Sequence, residues 1–187
     1  MCPPSPLHLS QATTALHQGG VIACPTEAVW GLSCDPFDPQ AVGRLLYLKD
    51  RPVEKGLILL AASSSQLDFL LDDLSPEQQG TLAATWPGPA TWLVPHKGKV
   101  PQWICGDHAT VAVRVTDHPG MRALCQAYGG PVVSTSANPG GALPARHRFQ
   151  VSNYFGKALD YILPGALGTS KKPTVIRDLA SGQIIRA

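Results

Sequence analysis

Short apolar runs alternate with helical-period segments along the whole chain, and 18 glycines and 18 prolines in 187 residues punctuate them. Proline removes a backbone donor and glycine weakens a helix interior, so this density of breakers argues against an all-helical bundle. Residues 21–24, 57–62, 91–94, 111–115 and 132–135 read as strands, with 21–24 stopped by Pro25. Residues 161–163, 174–176 and 184–185 read as short closing strands. Helices are expected over 7–17, ended by Gly19-Gly20, and from Asp38-Pro39 to Lys49, where an acceptor precedes a proline. A short helix is expected over 66–71. Ser75-Pro76-Glu77-Gln78 is a capping box for a helix to about Thr85, and 118–128 and 146–155 complete the set. Strands and helices interleave, and several connections are too short for a parallel crossover. The expected class is therefore α/β, a mixed sheet layered with helices.

A chain of this length suits one domain over residues 1–187. Apolar residues are 44% and charged residues 15%, which excludes the polar, highly charged composition of disorder. Fifteen Lys and Arg against thirteen Asp and Glu give +2, too small to demand a nucleic-acid partner. Cys2, Cys24, Cys34, Cys105 and Cys125 make no Cys-x-x-Cys and no ligand spacing, so they read as reduced thiols of a cytoplasmic protein. The six histidines form no ligand pattern either, and no protein-held metal is expected. Neither a signal-peptide pattern nor a membrane-length apolar run occurs, so no membrane partner is expected. The phosphate-binding glycine motifs, Gly-x-Ser-x-Gly and His-Glu-x-x-His are absent.

Polar clusters instead stand where strands end, which is where ligands collect in open α/β sheets. Pro25-Thr26-Glu27 follows the first strand and reads equally as a capped turn. Lys49, Arg51 and Lys55 put three cations within seven residues, a phosphate clamp or a solvated loop. Arg114 falls in or just after an apolar strand and needs an anion, either an internal Asp or Glu or a substrate carboxylate. Ser134-Thr135-Ser136-Ala137-Asn138 precedes Pro139-Gly140-Gly141. Four small polar residues are more than a turn requires, and successive amides there form an anion nest.

These clusters, in this order, resemble the YrdC family of bacterial threonylcarbamoyl-AMP synthases over nearly the whole chain. The likeness is carried by the segments from Pro25 to Leu32 and Leu48 to Leu57, by Trp86-Pro87-Gly88-Pro89-Ala90-Thr91, and by the segments from Val111 to Pro119 and Ser134 to Asn138. Pro139-Gly140-Gly141 departs from the Ser-Gly that many relatives carry there. The resemblance implies a YrdC-like domain, a twisted mixed sheet around a positively charged concave cavity. It implies that L-threonine, bicarbonate or CO2, and ATP (with Mg²⁺) give threonylcarbamoyl-adenylate and pyrophosphate. It implies as partners a downstream threonylcarbamoyl-transferase complex and tRNA or double-stranded RNA, the modified base being adenosine 37 of tRNA. Carried over by position, Lys49, Arg51, Ser136 and Asn138 form the catalytic tetrad. With Thr110 and Arg186 they hold the nucleotide, while Thr26, Arg114, Ser134 and Thr174 bind L-threonine. Three other readings compete. A non-catalytic RNA-binding module would bind phosphates without ATP chemistry. A carbamoyl-transfer enzyme of hydrogenase maturation would carry zinc-finger cysteines. A plain structural domain would leave the tetrad scattered.

Overall fold

The computed structural model describes residues 3–170 and 174–186; Cys2 lies outside them. Helix α1 (Pro6–His17) begins at Ser5, whose hydroxyl accepts from the His8 amide. Strand β1 (Ile22–Pro25) turns directly into β2 (Trp30–Ser33). The turn closes because the Thr26 amide and hydroxyl both donate to the Val29 carbonyl, at 3.2 and 2.7 Å. Strand β2 is not anticipated by the sequence, since Gly31 interrupts its pattern. Pro25, expected to stop β1, is instead its last residue, opposite Trp30, where a missing N–H falls at the ladder's end.

Helix α2 (Pro39–Lys49) starts as expected, with the Asp38 carboxylate accepting from the Gln40 and Ala41 amides. It ends at Asp50, held in the left-handed region at φ 48°. A 3₁₀ turn (Val53–Lys55) leads to β3 (Ile58–Ala61), then to α3 (Asp68–Leu71) and α4 (Pro76–Ala83) with its capping box complete. Next come β4 (Ala90–Pro95), the four-residue helix α5 (Gln102–Cys105), β5 (Thr110–Val115), α6 (Pro119–Tyr128) and β6 (Val132–Ser136). Helix α7 (Arg148–Phe155) and strands β7 (Tyr161–Ile162), β8 (Val175–Asp178) and β9 (Ile184–Arg186) complete the chain.

Among the described residues the strands form one nine-stranded sheet in the order β7-β1-β2-β6-β3-β5-β4-β8-β9. Three pairs, β1 with β7, β3 with β5 and β4 with β8, are parallel; the rest are antiparallel, so the sheet is mixed. Strand alternation divides the core in two. Leu32, Leu59, Ala61, Val111, Val113 and Val133 face one side with Val42 and Leu45 of α2. Ile22, Cys24, Leu60 and Val132 face the other with Ala12 and Leu16 of α1 and Leu124 and Cys125 of α6. Covered on both faces, β1 and β3 read as unbroken apolar runs, whereas β6 is apolar only at Val132 and Val133.

The second core stops at Leu60 and Val132. Two residues along on the same face, Ile58 of β3 and Ser134 of β6 stand opposite each other, with Ala112 of β5 and then Leu93 of β4 in the same row. That row is the floor of a cavity.

Candidate active site

The cavity has a volume of about 440 Å³, within the usual range for small-molecule sites. Period-two alternation builds its walls: β5 turns Thr110 and Arg114 to it, and β6 turns Ser134 and Ser136. Thr26 and Glu27 come from the β1–β2 turn, Arg51 and Lys55 from the loop after α2, and Thr174 and Arg186 from the C-terminal strand region. Among the described residues four cationic side chains and one carboxylate thus line it, together with His108 and Cys105.

Lys49 and Asn138 do not line the cavity but are tied to its wall. Lys49 ends α2, a position where a cation suits the helix dipole. Its ammonium is buried and donates to the backbone carbonyls of Ser136 and Asn138, the second at 3.0 Å. Ser136 Oγ donates to Asn138 Oδ1 at 2.6 Å, and Asn138 Nδ2 donates to the Pro139 and Ala142 carbonyls at 3.0 and 2.9 Å. Three of the four tetrad residues therefore form one bonded network that fixes the loop leaving β6. The loop lies so close to α2 that a Cβ at Gly140 would stand 3.2 Å from the Asp50 carboxylate and 3.3 Å from its carbonyl.

Arg51 closes its own loop. Its Nη2 donates to the Gly56 carbonyl at 2.8 Å and to that of Lys55 at 3.3 Å. Gly56 has φ +61°, and a Cβ there would meet the Cys105 carbonyl at 3.0 Å, so glycine allows α5 to buttress the loop. The sequence grouped Lys49, Arg51 and Lys55 as one clamp, whereas the fold gives them separate tasks. Burial first, and the Arg51 charge second, pull the Lys49 ammonium down to about 8. Arg51 is likewise held below its ordinary value, by burial and then by Arg186. Arg186 is not a loose end: it pairs with Ile176 across β8 and β9, and its guanidinium donates to the Thr174 carbonyl at 3.4 Å.

The opposite end is drier. Arg114 is 6% exposed, and its Nη2 lies 3.0 Å from Oε2 of Glu27, itself 5% exposed. Glu27 Oε1 accepts from the Thr116 hydroxyl, which in turn accepts from the His118 amide at 3.1 Å. The cation in the apolar strand thus has the internal carboxylate that the sequence left as one of two options. Burial pulls Arg114 below its ordinary value and Glu27 opposes that. Arg114 Nε has no hydrogen-bond partner among the described residues, although the side chain borders the cavity. Nearby, the Thr174 and Thr91 hydroxyls lie 3.0 Å apart.

Sequence reasoning assigned no role to Glu27. A buried arginine signals that a carboxylate must exist, but thirteen acidic residues compete for the part and only the β1–β2 turn selects one. Among the described residues no group of three or more His, Cys, Asp or Glu is placed to hold a metal ion. Cys24, Cys34, Cys105 and Cys125 are unpaired and buried, and burial pushes the Cys125 thiol up to about 12. No described helix is long and apolar enough to cross a membrane.

Residues 14–187 match the family model Sua5/YciO/YrdC, described as telomere recombination. A threonylcarbamoyl-AMP synthase of Stutzerimonas stutzeri (strain A1501) is 58% identical over 178 residues, covering 95% of this chain and 96% of the relative. Among solved structures, P. abyssi Sua5 complexed with L-threonine superposes with a TM-score of 0.84 at 30% identity, over 94% of this chain. This chain spans about half of that protein, 52%. E. coli YciO superposes with a TM-score of 0.84 at 26% identity, over 98% of this chain and 91% of YciO.

Proposed function

The chain belongs to the Sua5/YciO/YrdC family, and we propose that it is a threonylcarbamoyl-AMP synthase, converting L-threonine, bicarbonate or CO2, and ATP to threonylcarbamoyl-adenylate and pyrophosphate. The observation that carries this reading is the convergence of two unlike ends on one cavity. Arg51, Lys55 and Arg186 meet Ser136 at one, and Arg114, Thr26 and Ser134 meet at the other.

The threonine amine attacks CO2 and gives up a proton to leave a carbamate. A carbamate oxygen then attacks the α-phosphorus, and the bond to the β-phosphate oxygen breaks as pyrophosphate departs. No protein nucleophile is needed, and the buried thiols are unsuited to that part. Catalysis is positioning together with stabilisation of phosphate charge. Arg51, Thr110, Ser136 and Arg186 contact the nucleotide, while Lys49 and Asn138 hold the loop that presents Ser136. Thr26, Arg114, Ser134 and Thr174 take L-threonine. Mg²⁺ enters with ATP as part of the substrate, because the one carboxylate on the cavity wall among the described residues already faces Arg114 and Thr116. The adenylate passes to a separate transferase complex acting on adenosine 37 of tRNA in the cytoplasm.

A module that only binds RNA would need its cations on an open face. Here they are gathered in a cavity of small-molecule size. The deciding experiment is pyrophosphate release by the purified protein with L-threonine, bicarbonate or ATP omitted in turn. Release requiring all three is expected. Release without threonine, or none from a folded protein, overturns the reading; in the latter case, RNA titration at several salt concentrations tests the binding module.

A further inference from the structure

We infer that Glu27 is a specificity-determining residue of the amino-acid end, bracing Arg114 and balancing its charge so that the pair receives a zwitterionic α-amino acid and discriminates against a bare carboxylate. The inference rests on the threonine-binding reading above and adds a residue and a selectivity rule to it.

The geometry supplies three independent supports. First, Glu27 is fixed from every side. Its Oε1 accepts from Thr116, its Oε2 faces Arg114 at 3.0 Å, and its backbone carbonyl accepts from the Ser170 amide at 3.1 Å. The neighbouring Thr26 carbonyl accepts from the Gly168 amide at 2.9 Å, and a Cβ at Gly168 would stand 2.7 Å from the Glu27 carbonyl, so this turn has no room to shift. Second, both members of the pair border the cavity, and the guanidinium keeps an unmet donor. Glu27 Oε2 is engaged by Arg114 Nη2 as an ion pair at 3.0 Å, whereas Arg114 Nε has no hydrogen-bond acceptor among the described residues, in side chains 7% exposed. A buried donor left unpaired is costly, so Nε is free for a ligand oxygen beside the carboxylate that would meet an ammonium. Third, the guanidinium is answered on the cavity wall by the Glu27 carboxylate, with the exposed Asp117 adding a further negative charge in reach of Arg114. A lone carboxylate approaching Arg114 gains the cation and suffers the anion, so it gains little. A zwitterion offers a carboxylate to the cation and an ammonium to the anion at the separation that one carbon atom imposes. This is selection by a repulsive element as well as an attractive one.

Replacing Glu27 by Gln keeps the shape and removes the charge, leaving Arg114 as a net cation. The test is calorimetric titration of the whole protein with L-threonine and with 3-hydroxybutanoate, which is threonine without its amino group. For Glu27→Gln, threonine affinity should fall about tenfold while 3-hydroxybutanoate binds at least as tightly as to wild type, closing the gap between them. The KM for ATP should stay within about twofold, and Glu27→Asp should recover part of the preference. Equal losses for both acids, accompanied by a raised ATP requirement, would reduce Glu27 to a structural residue and overturn the inference, as would a Glu27→Gln protein that binds both acids like wild type. Should Glu27→Gln fail to fold, Thr116→Val removes only the hydroxyl that steadies the carboxylate. It should narrow the preference about threefold, and an unchanged preference overturns the inference. Wild-type protein that binds ATP but no threonine would overturn the functional reading itself, and this inference with it.

Discussion

The two ends of the cavity treat their cations in opposite ways. At the end proposed for the nucleotide, Lys49 and Arg51 donate to backbone carbonyls, of Ser136 and Asn138 in one case and of Gly56 and Lys55 in the other. Carbonyls satisfy hydrogen-bonding capacity but cancel no charge, which suits the proposed polyanion. At the end proposed for the amino acid, Arg114 faces a full carboxylate, and its charge is answered within the protein. A triphosphate carries several negative charges and a free amino acid carries none net. On the proposed division, the same residue type would serve two substrates according to its partner. Desolvation sharpens the contrast: an unpaired guanidinium as deep as Arg114 would be costly, whereas the half-buried Arg51 tolerates incomplete compensation.

Removing a charge should expose the difference most strongly at the nucleotide end. Lys49→Ala leaves two carbonyls without their donor and frees the loop carrying Ser136, and adenylate formation should fall by about a hundredfold. Arg51→Ala should cost at least about tenfold, read as kcat/KM for ATP by pyrophosphate release. At the other end, Arg114→Ala should raise the threonine requirement about tenfold more than the ATP requirement. It also strands Glu27 in a buried site, so stability should drop by about 3–5 kcal/mol in denaturant titration, which Arg51→Ala should not reproduce. Equal effects on the two substrates would erase the proposed division.

The pH dependence sharpens the same comparison. Lys49 titrates at about 8 in the folded protein against an ordinary value of 10.5. Across that window the unfolded chain retains a proton that the folded chain has released, so the penalty for a buried ammonium is relieved and stability rises with pH. Activity should fall over the lower part of the window as the clamp on Ser136 and Asn138 loses its charge. Activity and unfolding midpoint measured between pH 7 and 10 should diverge, and in Lys49→Met the stability slope should flatten. The smallest effect is expected from the thiols. Cys24→Ala and Cys34→Ser should retain activity within about twofold, since both thiols are buried and burial raises them. Lost activity in a folded variant would bring sulfur chemistry into the site.

Where one residue and its neighbours in sequence decide an outcome, the sequence was readable. The Asp38-Pro39 start of α2 and the Ser75 capping box stand where local chemistry put them, and the strands expected at 57–62, 111–115 and 132–135 are found at 58–61, 110–115 and 132–136. β2 was missed because Gly31 breaks its pattern, and α5 because four residues give too little periodicity to read. The site shows the same limit. Chain order alone brought Lys49, Arg51, Ser136 and Asn138 forward as a set, through likeness to a family. Which of them reach the cavity wall was not written in that order: Arg51 and Ser136 do, and Lys49 and Asn138 do not.

The sequence by itself determined the α/β class, the helix starts and the residue types available for anion binding, because propensity, capping and hydrophobic period act within a few residues. Tertiary structure alone decided that Glu27 answers Arg114 across 87 positions, from the β1–β2 turn to strand β5, and that Lys49 grips Ser136 across another 87. Those pairings follow from strand register and from the cost of burying a charge. Both depend on which segments the sheet brings side by side, and no local window contains that information.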